Sequence, residues 1–212
     1  MLLVPLCGLA GIAGLTTRAA GEQSTDPMIG CALLHRQAAI DACDAAIRSR
    51  LPAELRAEAA YKKGVELGDL TRYGDAVNAY RAAIRLKPDY AAAHFDLGVA
   101  LAVLGRPHAA LREFRATVEL APMDADAHYN IGLVLNGLGR HAEAMQAYRD
   151  AVRARPDYAD AWGNLGLTAN LIGRYRESAD AFERAQALLP AYFESRPRQR
   201  EAFEASRGAR AL

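Results

Sequence analysis

AAAHFDLGVALAVLGRPHAALREFRATVELAP, residues 91–122, decides the fold. Apolar side chains recur three and four positions apart in both of its halves, so each half is an amphipathic helix. Gly105 follows the first half, where a helix end wants a residue that tolerates positive φ. Pro122 closes the second, because proline cannot continue a helix and biases the residue before it away from helical geometry. Shifting the chain against itself by 34 positions repeats the pattern. Gly64, Gly98, Gly132 and Gly166 superpose, as do Ala76, Ala110, Ala144 and Ser178; Tyr80, Phe114, Tyr148 and Phe182; and Pro88, Pro122, Pro156 and Pro190. Four uninterrupted units result: 57–90, 91–124, 125–158 and 159–192.

Gly139 and Gly173 end first helices as Gly105 does, and Asp89, Asp124 and Asp157 stand near the starts of the next helices, suited to their exposed N–H groups. The small residue at Gly98, Gly132 or Gly166 is expected to let the second helix approach the first closely, with Ala110 and Ala144 as the facing hollow. Leu97 with Leu101, Ile131 with Leu135, and the rings of Phe114 and Tyr148 fill the space between. One unit cannot hide this surface, so neighbours stack. The predicted fold is all-α, a right-handed superhelical solenoid of antiparallel helix pairs with a concave inner wall.

With 26 basic and 25 acidic side chains among 212 residues, the formal charge of +1 indicates no strong pull toward nucleic acid or anionic lipid. A partner is then read by shape and hydrogen bonds. Arginine dominates over lysine, present only at Lys62, Lys63 and Lys87, and alanine is abundant, a composition that hints at a bacterial source. Residues 1–20 are apolar from Leu2 to Leu15 and then turn small and polar, the outline of a secretory signal peptide, although no Lys or Arg precedes the run. An N-terminal tail is the other reading. The run is shorter than the roughly 20 residues of a membrane span, so the mature chain is expected to have no stable span. Export, to a bacterial periplasm, is the first expectation and a cytoplasmic location the second.

Trp162, Leu165, Gly166, Ser178, Phe182, Ala185 and Pro190 match the pattern of the tetratricopeptide repeat family, which residues 57–192 resemble. The third and fourth units are similar to the repeats attached to O-linked N-acetylglucosamine transferases, but no transferase domain fits in the remaining residues. The first unit departs from the pattern: Lys63 replaces an apolar residue, marking a strained or wet site, and ELGDLTRYGDA, residues 66–76, is a looser turn. Within 21–56, AAIDACDAAI (38–47) resembles a second helix only, a partial repeat. Residues 193–212 are expected to form a capping helix that Pro197 restarts. Tyr192, Phe193 and Phe203 would cover the last repeat, and Arg196, Arg198, Arg200, Arg207 and Arg210 would face water or bind an acidic partner.

The resemblance implies that first helices line the groove. By position these residues are Tyr61, Lys62, Val65 and Gly68; Phe95, Asp96, Val99 and Ala102; Tyr129, Asn130, Leu133 and Asn136; and Gly163, Asn164, Leu167 and Asn170. Asn130 and Asn164 would clamp a peptide backbone as their transferase counterparts do, and Phe95 and Tyr129 would supply flat apolar contact; alternatively the amides tie adjacent helices together. The lysines and asparagines by which the chaperone-tail subset grips a carboxylate are replaced here by Tyr61, Val65 and Asp96.

No nucleophile, P-loop or dinucleotide motif occurs, so neither catalysis nor a cofactor is expected. His94 and His128 occupy the place of Trp162; no further ligand repeats with them, which favours packing over metal. His108 and His141 begin second helices and read as exposed, and His35 is isolated. Cys31 and Cys43 bridge only if the chain breaks between them, since one unbroken helix would hold them about 18 Å apart. The function expected is an adaptor that binds a peptide segment of a partner protein. The alternative is a self-associating or envelope-assembly scaffold docking through its C-terminal region.

Overall fold

The computed structural model describes residues 37–210, which form ten helices and no strand, an all-α helical repeat array. The chain divides into two compact units, with the boundary in sequence between Lys87 and Pro88. None of the described helices is long and apolar enough to cross a membrane.

The first unit holds α1 (Gln37–Arg48), α2 (Ala53–Asp69) and α3 (Tyr73–Leu86). The stretch that resembles a lone second helix is α1, which packs on α2 through Ala39, Ile40, Cys43 and Ala46. Cys43 is buried and disulfide-bonded; Cys31, its expected partner, lies outside the described residues, as do His35 and residues 1–20. Lys63 donates to Asp44 of α1 at 2.6 Å, and this half-buried pair stands at the repeat position that Leu97 holds in the next repeat. The turn 66–76 is no looser than the others. Thr71 takes a φ of 59°, where Gly105, Gly139 and Gly173 take 69–76°, and Arg72 N donates to Leu67 O at 2.8 Å as Arg106 N does to Leu101 O at 2.9 Å.

The second unit comprises three helix pairs, α4 (Ala91–Val103) with α5 (Pro107–Leu120), α6 (Ala125–Gly137) with α7 (His141–Ala154), and α8 (Ala159–Leu171) with α9 (Tyr175–Leu188), followed by α10 (Pro197–Arg210). The helical glycines make room for rings, not for a close approach of two backbones. A Cβ on Gly98 would lie 2.7 Å from the Phe114 ring and one on Gly132 2.5 Å from Tyr148, both rings fully buried. Only one aspartate caps as expected: Asp124 accepts from Ala127 N at 2.9 Å. Asp89 and Asp157 stand one residue too early, behind the capping positions Tyr90 and Tyr158.

The shared place of His94, His128 and Trp162 has a common purpose. Each ring donates an N–H to the carbonyl of the proline that closes the preceding repeat: Pro88 at 3.1 Å, Pro122 at 2.8 Å and Pro156 at 2.9 Å. Imidazole and indole are interchangeable there because both present a donor at the ring edge. His141 is half-buried, not exposed, and bonds Asn136 Oδ1 at 2.9 Å.

Candidate functional site

The first helices of the second unit, α4, α6 and α8, place the expected groove residues along one face. Their periodicity fixes the face but not the depth. Phe95 and Tyr129, expected to offer flat contact to a partner, are each only 8 % exposed. Phe95 packs edge-on to Phe114 at 5.6 Å, and Tyr129 lies between Tyr148 at 5.8 Å and Tyr158 at 4.9 Å. They are the floor under the face, held by the second helix of their own pair. Asp96, Val99, Ala102, Asn130 and Leu133 remain half-exposed above them. Tyr61 belongs to the first unit and packs on Tyr80 at 5.9 Å.

The asparagines act mainly between helices. Asn136 Nδ2 donates to Thr168 Oγ1 at 2.7 Å, Asn164 Nδ2 to the Tyr129 hydroxyl at 2.9 Å, and Asn170 Nδ2 to Ala202 O at 3.1 Å and Ser206 Oγ at 2.9 Å. The first two join α6 to α8, the first helices of successive repeats, and the third joins α8 to α10, the seam use that the sequence left open. Asn130 differs, since its amide donates at 2.8 Å to Asp126 O in its own helix and bridges no neighbour.

Two acid–tyrosine–arginine groups reinforce these seams and were not foreseen. Asp126 accepts both guanidinium arms of Arg155, at 3.0 and 2.6 Å, while that guanidinium lies 4.7 Å over the Tyr158 ring. Asp160, one repeat later, accepts from Arg196 at 2.8 Å, and Arg196 lies 4.5 Å over Tyr192. Tyr158 and Tyr192 are 34 positions apart and recur in the sequence, but Arg155 and Arg196 do not share a repeat position, which hid the correspondence. Arg196 is thus half-buried in an ion pair, contrary to its expected place in water. Burial first, then the Asp160 charge, pushes the Tyr129 hydroxyl up to about 12; burial also raises Tyr148, Tyr158 and Tyr192. These phenols stay neutral and serve as packing and hydrogen-bonding groups.

The last pair departs from the others at Gly163, where Tyr61, Phe95 and Tyr129 stand in earlier repeats. A Cβ there would overlap the Tyr192 hydroxyl. Tyr192, Phe193, Ala202 and Phe203 bury themselves with Phe182 and Ala185, and Ala159, Trp162 and Leu167 pack against that cluster. The missing ring at 163 was the sequence signal for this notch.

The sequence model described as Tetratricopeptide repeat matches residues 103–159 and 138–193, and the one described as TPR repeat matches 69–105. Together they span more than half of the chain. Among solved structures, one titled "Crystal structure of MamA" is 25% identical over 71% of this chain and 86% of that one, with a TM-score of 0.67. A MamA from Desulfovibrio magneticus RS-1 is 23% identical over 74% and 86%, TM-score 0.61. The protein titled "YrrB: a TPR protein with an unusual peptide-binding site" is 24% identical over 78% and 82%, TM-score 0.65. None of the curated proteins matches.

Proposed function

The chain belongs to the tetratricopeptide repeat family, and from that premise we propose that it is an adaptor binding a peptide segment of a partner protein on the face of α4 and α6. One observation carries this reading: Asp96, Val99, Asn130 and Leu133 stand half-exposed above a floor of buried, mutually packed rings. A floor locked in place is preorganised, so little freedom is lost when a partner settles on it. Val99 and Leu133 offer apolar contact, and the Asn130 amide, which bridges no neighbouring helix, meets the backbone of the bound segment. YrrB, which shares the fold, is described by its peptide-binding site. The transferase-like clamp is narrowed to Asn130, because Asn164 holds Tyr129.

Selection from a displayed peptide library tests this. Peptides enriched on the full chain are to be lost on Asn130→Ala/Leu133→Ala, whose helicity and melting match the parent. Equal enrichment on both would remove the face of α4 and α6 from consideration.

In the scaffold alternative, docking through the C-terminal region, Tyr192, Phe193 and Phe203 are covered while they lie buried against the last repeat, which leaves the exposed residues of α10 as the docking surface. Export to a periplasm is supported by the apolar run 2–15 and by the disulfide at Cys43, a bond that persists in oxidising compartments. Fractionation of cells expressing the tagged chain decides it: recovery solely in the cytosol would overturn export.

A further inference from the structure

We propose that residues 192–206 are a displaceable strap covering the peptide face of the last repeat, and that the partner's segment brings the groups it mimics: an aromatic ring for the notch at Gly163 and a cation for Asp160. This rests on the peptide-binding reading above and names the chemistry of the ligand.

The notch is a built site. Where earlier repeats carry a ring on the first helix, Gly163 leaves a gap, and Tyr192, 1 % exposed, fills it. Phe182 lacks the ring that Tyr148 finds in Tyr129 and instead meets Phe193 at 5.8 Å and Phe203 at 5.9 Å. The cation is Arg196, bonded to Asp160 at 2.8 Å. Ser178, which stands where the other repeats have alanine, accepts from Ser206 Oγ at 2.7 Å and donates to Gly166 O at 2.8 Å. Leu167 packs on the strap's cluster and Asn170 donates to Ala202 O and Ser206 Oγ. Three of the four positions that line the groove in this repeat, Gly163, Leu167 and Asn170, are therefore met by the chain's own C-terminal segment. Furthermore, α10 packs on both α8 and α9.

The strap's helix is lightly held. Among the described side chains of α10, Ala202, Phe203 and Ser206 are buried, whereas α9 buries Ser178, Ala179, Ala181, Phe182 and Ala185. A helix of this length is marginal alone in water, so its stability comes from that small contact. Segments with few buried apolar groups open locally at lower free energy than the core. An aromatic-bearing peptide would bind when the strap opens, and its apparent affinity would scale with the open fraction.

The probe is a fluorescent synthetic peptide with the sequence of residues 189–206. Arg196→Ala/Phe203→Ala in the full chain weakens the strap and is expected to bind the probe at least tenfold tighter than the parent, and adding Gly163→Leu is expected to abolish binding. Equal binding to parent and variant, or binding indifferent to Gly163→Leu, would overturn the proposal. Hydrogen exchange on the unmodified chain gives an independent reading. Amides of α10 should exchange at least tenfold faster than those of α9, and equal protection would make the segment a permanent cap. These outcomes are separable from the face of α4 and α6, which the library selection tests without touching the strap.

Discussion

In the third repeat Tyr148 meets Tyr129 within its own helix pair, at 5.8 Å; in the fourth, where Gly163 replaces that ring, Phe182 takes Phe193 and Phe203 from beyond the pair. The frame is the same in both apart from Ser178, which replaces the alanine at 144: Gly132 matches Gly166, and Pro156 matches Pro190. What differs is who supplies the ring, and with it whether the repeat is complete in itself. A repeat pattern can thus be kept while one position transfers its packing to a neighbouring segment, and that transfer creates a receptor for an aromatic side chain.

The comparison is tested most severely by removing the two second-helix rings. Tyr148→Ala and Phe182→Ala should each cost about 3–5 kcal/mol in urea unfolding. Phe182→Ala alone should also speed proteolysis in residues 189–196; similar cleavage of both variants would erase the distinction. Next in size, Gly132→Ala drives a Cβ into the buried Tyr148 ring, an overpacking cost of about 1–3 kcal/mol set against about 1 kcal/mol of helix propensity. Gly163→Ala meets mainly the far end of the Tyr192 side chain and should cost less, provided that the ring swings aside. A larger loss at 163 than at 132, read from thermal melts, would mean that the notch is rigid.

A smaller effect separates the first turn from the others. Gly139→Thr places a β-branched residue at φ 73° and should cost about 1–2 kcal/mol. Thr71→Gly should return up to about 1 kcal/mol, less what the unfolded chain gains in freedom. Chemical denaturation of both variants checks the pair. The least effect near neutral pH concerns the phenols. Folded Tyr129 keeps its proton to about 12 while the unfolded side chain loses it near 10, so its contribution is full below pH 10 and is lost as pH rises from 10 to 12. Melting temperature should be level from pH 7 to 9 and decline above 10, and Tyr129→Phe should flatten the decline.

The glycine and proline punctuation made the helix pairs legible, because backbone geometry restricts few residue types so sharply. Depth was less legible. Phe95 and Tyr129 lie on the expected helix face, but whether a ring lies over or under that face depends on the second helix, and no local pattern reports it. The partners of Asn136 and Asn170 were hidden for a related reason, since each amide reaches a residue some thirty positions away across a packed seam. The turn at residues 66–76 is tighter than expected because Thr71 takes the positive φ that glycine supplies in the other repeats. Lys63 looked wrong only until Asp44 on α1 was placed beside it.

Trp162, the sole tryptophan of the chain, joins two structures at once: its indole N–H holds the Pro156 carbonyl and its ring leans on the cluster around Phe193. Its emission spectrum is therefore a native optical gauge of that junction. Loss of the cluster would shift the fluorescence to the red while the helical circular dichroism of α4–α9 stayed constant, so movement of the C-terminal segment could be followed in real time without attaching a dye.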